Sequence, residues 1–219
     1  MKISTLAVAT AGMLVMAGGA SALTNLVSDG DFTTPSGGVT YTSYAAGSLM
    51  GPWNVTGTGS KAVDLIGGFW QPPMPGQGSV DLDGTQPGGI FQTLATLPDG
   101  TYTLQFDLSG NPVAGNPLKT VDVSVGNISN EAFTYLTGSN SKSSMDYVLE
   151  RVFFTVTGGA GTTLTFDSAD LAGSAYGPVI GNVGVFSGVI PEPATWGLMI
   201  LGLGGLGAVA RARRKTALA

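Results

Sequence analysis

Tyr102, Leu104, Phe106 and Leu108 alternate with Thr101, Thr103, Gln105 and Asp107. Eight residues of strict period two describe a strand with one face in a core and one in water. Val121, Val123 and Val125 alternate in the same way with Thr120, Asp122 and Ser124, as do Val80 and Leu82 with Ser79, Asp81 and Asp83; Leu164–Phe166 and Val183–Val185 give shorter versions. Asp83-Gly84, Asp99-Gly100, Gly110-Asn111-Pro112 and Gly158-Gly159 punctuate these runs with turn chemistry. Tyr147 to Val156 alternates less cleanly, with Val152, Phe153 and Phe154 in a row, and predicts a bulge or two-sided burial. Ser129 to Leu136 is the one stretch that predicts a short helical turn. Short strands joined by Gly-rich turns predict an all-β sandwich or jelly roll.

Several chemistries are excluded. The 219 residues contain no His and no Cys. There is no thiolate nucleophile, no disulfide, no Cys-ligated zinc and no imidazole base. Charged residues are 11% of the chain and glycines number 35. That is low in charge and high in Gly for an ordinary cytosolic enzyme, and it suits an exported chain with apolar ends.

The N-terminus carries Lys2, an apolar run from Leu6 to Met16 and the small-residue site Ala20-Ser21-Ala22. This predicts a signal peptide over 1–22, since the run is too short to span a bilayer well. The C-terminal segment, 189–219, has three parts. Pro191-Glu192-Pro193 leads to Trp196, an apolar run covers 194–210, and Arg211, Arg213, Arg214 and Lys215 form a basic tail over 211–215. A transmembrane helix is expected over 194–210, with the basic cluster as a stop-transfer signal on the cytoplasmic side. This order of motif, span and basic tail resembles a PEP-CTERM sorting domain of the PEPxxWA type, with Gly197 where Ala is usual. The resemblance implies recognition by an exosortase, a membrane protease acting near the motif. It also implies an association with exopolysaccharide and biofilm matrix.

The central segment retains four basic residues, Lys61, Lys119, Lys142 and Arg151, against 13 acidic ones, a net charge of −9. Such a surface repels phosphate backbones, so no nucleic-acid partner is expected. Eleven of the acids are Asp, a residue that favours turns, and the carboxylates are expected mostly there.

Asn25-Leu26-Val27-Ser28-Asp29-Gly30-Asp31-Phe32 opens this segment, and the stretches 53–66, 79–84, 89–94, 100–106, 108–112, 166–168 and 177–180 follow in an order that resembles choice-of-anchor C proteins, relatives of the plant cell-wall DUF642 proteins. The resemblance implies a galactose-binding-like β-sandwich over 23–188. Where that family carries Asp-Asp or Asp-Asn, this chain has Gly181-Asn182, which weakens any calcium site there.

Asp29 and Asp31, with the pair Asp81 and Asp83, are candidate oxygen ligands for a structural calcium; the alternative is solvated turn carboxylates. Glycoside hydrolysis needs two carboxylates across a sugar bond, and nothing in the sequence places Glu131, Glu150, Asp64, Asp81 or Asp83 so. For sugar binding, Trp70 is the leading aromatic, in a Gly- and Pro-rich loop where a large ring is hard to bury; Tyr44 and Asn111 are further candidates. Trp53 and Trp70 as plugs at the ends of the sandwich are the alternative. The expected protein is a non-catalytic exported surface or matrix component contacting polysaccharide. Its rivals are a carbohydrate-active enzyme using Asp and Glu alone and a purely structural surface protein.

Overall fold

The computed structural model describes residues 24–33, 40–158 and 161–188. The expected signal peptide, the Pro-Glu-Pro motif, the apolar span and the basic tail lie outside the described residues. No helix among the described residues is long and apolar enough to cross a membrane.

Among the described residues, twelve strands form two six-stranded antiparallel sheets. The first sheet runs, edge to edge, through β1 (Tyr41–Tyr44), β4 (Val63–Ile66), β5 (Ser79–Asp81), β12 (Pro178–Ser187), β7 (Gly100–Gly110) and β10 (Val148–Val156). The second runs through β2 (Leu49–Met50), β3 (Trp53–Thr56), β6 (Gly89–Thr93), β11 (Thr163–Ser168), β8 (Leu118–Val125) and β9 (Ile128–Leu136). From β5 onward the chain passes repeatedly between the sheets, the wiring of a jelly roll. The strongest period-two segments form β7 and β8, each an interior strand lying one position from the edge of its sheet. Each buries alternate residues: Leu104, Phe106, Val121 and Val123 are fully enclosed.

A line of rings joins the two layers. Phe106 meets Phe133 at 5.3 Å and Phe166 at 5.1 Å between centroids, Phe166 meets Trp53, and Trp53 meets Phe32 at 5.6 Å. Edge-to-face and tilted pairs of this kind add to the stabilisation from area burial alone. Trp53 is fully buried and donates its indole N–H to the Asp29 carbonyl at 3.1 Å.

The Asn25–Phe32 motif closes one side of the sandwich against β12. Asn25 donates to the Val183 carbonyl and accepts from the Val185 amide, while Val27 and Phe32 are buried. The Val183 amide bonds the Gly30 carbonyl at 2.8 Å, and a Cβ on Gly30 would lie 1.9 Å from the Val183 oxygen, so only glycine fits.

Four local expectations are corrected. Ser129–Leu136 is strand, within β9, because pairing with β8 from Leu118↔Leu136 to Val123↔Glu131 outweighs weak local preference. Val152, Phe153 and Phe154 contain no bulge: β10 pairs with β7 in unbroken register, and Phe153 faces out between two buried neighbours. Asp64, Asp81, Asp107, Asp122 and Asp167 lie within strands rather than turns. Trp70 is buried, 5% exposed, its loop notwithstanding.

Candidate functional site

The loop between β4 and β5 and the loop between β9 and β10 fold over the outer face of the first sheet and meet there. The Gln71 amide donates to the Lys142 carbonyl at 2.8 Å, and the Met145 amide donates to the Gln71 side-chain oxygen at 2.8 Å. Beneath them Ile66, Trp70, Met145 and Val179 make a small second core, flanked by Phe69 and Tyr147. Trp70 is held by its indole N–H donating to the Ser79 hydroxyl at 3.1 Å. A Cβ on Gly181 would come within 2.4 Å of Pro73, so the glycine lets this loop approach β12. Asn182 takes a positive φ of 48° beside it and donates to Asp107 at 3.0 Å, a conformation Asn tolerates well. The Gly181-Asn182 departure thus serves loop packing.

At the margin of this second core opens a cleft of about 290 Å³. Its rim is aromatic: Tyr41 is 46% exposed and packs edge-on to Phe69 at 5.3 Å, and Tyr176 stands 37% exposed across the loop before β12. The Lys142 ammonium sits 3.8 Å above the centre of the Phe69 ring, a cation–π contact. The wall is acidic. Asp64 and Asp81 are directly opposed in the β4–β5 ladder, and both line the cleft.

The two carboxyls differ in environment. Asp81 is buried; its Oδ1 accepts from the Asp83 and Gly177 amides and its Oδ2 from Asn111 Nδ2 at 2.7 Å. Loss of water outweighs those bonds and pushes its pKa up to about 8. Asp64 is raised by burial, offset by a hydrogen bond from Ser43 and by the Lys61 charge, and its buried Oδ1 has no hydrogen-bond partner. Directly opposed like charges destabilise a ladder, and a proton retained on Asp81 removes that repulsion. Nearby, Asp83 is fully buried and its carboxyl is raised, mainly by burial. The buried Lys119 ammonium lies 3.6 Å from Asp170 and donates to the Tyr176 carbonyl.

The predicted site residues separate. Asn111 and Trp70 both line the cleft, although the Asn111 amide is engaged by Asp81 and the Val113 amide, and Trp70 presents no free face. Tyr44 does not line it. Strand alternation puts Tyr41 on the outer face of β1 and Tyr44 against the main core. Asp29 and Asp31 are drawn into a turn, with Asp29 accepting from the Thr33 amide at 2.9 Å and both carboxylates near its hydroxyl. No group of three acidic side chains among the described residues is placed to hold a metal. Glu131 and Glu150 lie in different sheets. Phe69, Tyr176 and Lys142 were not anticipated; Phe69 adjoins Trp70 in the same loop, and Tyr176 stands in a Gly-rich turn, signals too weak to act on alone.

The described fold is similar to a family 35 carbohydrate binding module from Clostridium thermocellum (TM-score 0.44, 13% identity, 68% of this chain and 99% of that one). It is also similar to TmCBM61, solved in complex with β-1,4-galactotriose (TM-score 0.45, 17% identity, 63% of this chain and 89% of that one). A halomucin of Haloquadratum walsbyi is 31% identical over 168 residues, which cover 74% of this chain and 2% of that much longer protein. Residues 189–215 match the PEP-CTERM protein-sorting motif, which marks the protein for export and C-terminal processing. Residues 25–186 match the model of a protein family of unknown function, DUF642, and the chain belongs to that family.

Proposed function

We propose that the protein is a non-catalytic component of the cell surface or extracellular matrix that binds polysaccharide in the aromatic-rimmed cleft. The observation that carries this reading is the pairing of ring faces with hydroxyl-binding groups. Tyr41, Phe69 and Tyr176 surround a concavity whose wall contains the half-buried Asp64 and, behind it, the buried Asp81. Sugars present apolar C–H faces and hydroxyl edges, and a site for them needs rings and a few fixed polar atoms. The acidic charge of the domain, −9 over 23–190, keeps it soluble outside the cell.

An exosortase-type membrane protease is the processing partner in this reading. The segment 194–210 holds the chain in the inner membrane until cleavage near Pro191-Glu192-Pro193, after which the domain reaches the surface or the medium. Intact mass of protein recovered from the cell exterior tests both cuts; an untrimmed chain in the cytosol would refute the route. A glycan array tests binding. The protein is expected to retain a defined set of polysaccharides and to lose them in Phe69→Ala and Tyr176→Ala, with melting temperature held. No retention, or retention indifferent to both changes, would refute it. Release of reducing ends from a bound glycan would move the protein to the enzymes.

A further inference from the structure

We propose that Lys119 and Asp170 condense to a side-chain amide, a covalent staple between β8 and the chain just beyond β11 that the folded protein forms by itself. The register places the two residues for it. β11 pairs with β8 at Ser168↔Val121, the Ala169 amide donates to the Thr120 carbonyl at 2.9 Å, and the next facing positions are Asp170 and Lys119. Their side chains meet out of water, 4% and 0% exposed, with Nζ 3.6 Å from Oδ2. The lysine is closely held. A Cβ on Gly110 would lie 2.8 Å from its Cγ and one on Gly115 2.9 Å from its Nζ, and the ammonium donates to the Tyr176 carbonyl. The acid is held at one end. Asp170 Oδ1 accepts from the Thr120 amide at 3.0 Å, whereas Oδ2 is enclosed and has no hydrogen-bond partner.

A buried ion pair that serves stability alone closes to hydrogen-bonding distance and satisfies its remaining oxygens. This one leaves a buried carboxylate oxygen without a donor, which is costly. Condensation removes both buried charges and the unpartnered oxygen together. The step balances within the pair. A proton passes from Nζ to Oδ2, and the free amine attacks Cγ. The N–C bond forms while Oδ1, on the Thr120 amide, carries the developing negative charge. The second proton of the nitrogen then goes to Oδ2, the C–Oδ2 bond breaks, and Oδ2 leaves as water. One ammonium and one carboxylate become one amide and one water, with no oxidant or cofactor. The water has an exit, since Asp170 lines a cleft of about 290 Å³ with Gly115 and Tyr176. Holding the two groups together away from solvent favours the amide. The chain has no cysteine and its sorting motif marks it for export, so the amide supplies the covalent closure that disulfides give other exported domains. It ties a loop of about fifty residues. Until it forms, Lys119 stands as the buried cation of the pair.

Peptide mapping of the full chain reads the bond directly. The protein is kept folded in mild detergent at neutral pH for several days, then unfolded and digested with trypsin. The expected product, in most of the molecules, is a branched peptide joining Lys119 Nζ to Asp170 Cγ, lighter than its two parts by one water and uncut after Lys119. Lys119→Arg and Asp170→Ala should each abolish the branch. Lys61→Arg, which changes an exposed lysine in the loop before β4, should leave it intact. Chain held in urea from the moment of lysis should carry no branch and acquire it on refolding, because the reaction needs the folded site. Recovery of Lys119 and Asp170 on separate peptides after the incubation would overturn the proposal, and this result is read on the unchanged chain whether or not the variants fold. An equal yield of the branch in urea, or a branch at Asp170 persisting in Lys119→Arg, would overturn it as well.

Discussion

Stability should fall as the pH rises from 5 to 7, the reverse of ordinary acid sensitivity. The chain has no histidine, so in this window no side chain with an ordinary pKa titrates; the α-amino group is the remaining ordinary group, near the top of the window. The carboxyls with a resolved shift, Asp64, Asp81, Asp83, Asp107, Glu150 and Asp167, are all raised, each with burial as the leading cause. Asp81, 1% exposed, is pushed up to about 8. In the unfolded chain it loses its proton near pH 4. Between those values the native state holds one proton that the unfolded state has released. Stability is therefore greatest below the unfolded pKa and declines until the folded pKa is passed. The slope is about 1.4 kcal/mol per pH unit from this one group, so from pH 5 to 7 the loss is about 3 kcal/mol. Urea unfolding at the two values measures it, as a midpoint lower by roughly 1–2 M at pH 7 for a slope of about 2 kcal/mol per molar. Asp81→Asn should flatten the profile, whatever its effect on absolute stability through the contact with Asn111. A midpoint that is constant or rises with pH, or a slope in Asp81→Asn as steep as in the unchanged protein, would refute the charge assignment of this wall.

Three further outcomes follow from packing. Gly30→Ala should prevent docking of the N-terminal motif, because its Cβ would stand 1.9 Å from the Val183 carbonyl oxygen; a drop in melting temperature, with loss of hydrogen-exchange protection at the Val183 and Val185 amides, is the readout. Phe106→Ala removes the ring bridging Phe133 and Phe166 and should cost about 3–5 kcal/mol in urea unfolding. Lys119→Met should cost about 3–5 kcal/mol, since it strips the buried cation from Asp170 and Asp83. The loss should be smaller at pH 5 than at pH 8, because protonation of the raised Asp83 carboxyl offsets the missing charge.

The sandwich was legible and the cleft was not, for the same physical reason. Alternation within one strand reports which face is buried, and in Tyr102–Leu108 and Thr120–Val125 that was enough to define β7 and β8. It reports nothing about which strand lies alongside. Asp64 and Asp81 are seventeen positions apart, and their opposition follows from the β4–β5 register, which is set by how Leu65 and Val80 reach the core. Without the bounds of β1, Tyr44 reads as a loop aromatic; three residues along the strand from Tyr41, it lies on the opposite face, against the main core. Trp70 misled in another way. Its Gly- and Pro-rich surroundings suggested exposure, but a loop can bury a large ring when a second loop closes over it and the sheet beneath offers an apolar floor, here Ile66 and Val179 with Ser79 to take the indole N–H. Burial of Trp70 in turn fixes its neighbour Phe69 at the surface, beside Lys142. The residue that looked like a surface contact is therefore the anchor, and the ring it positions is the one that lines the cleft.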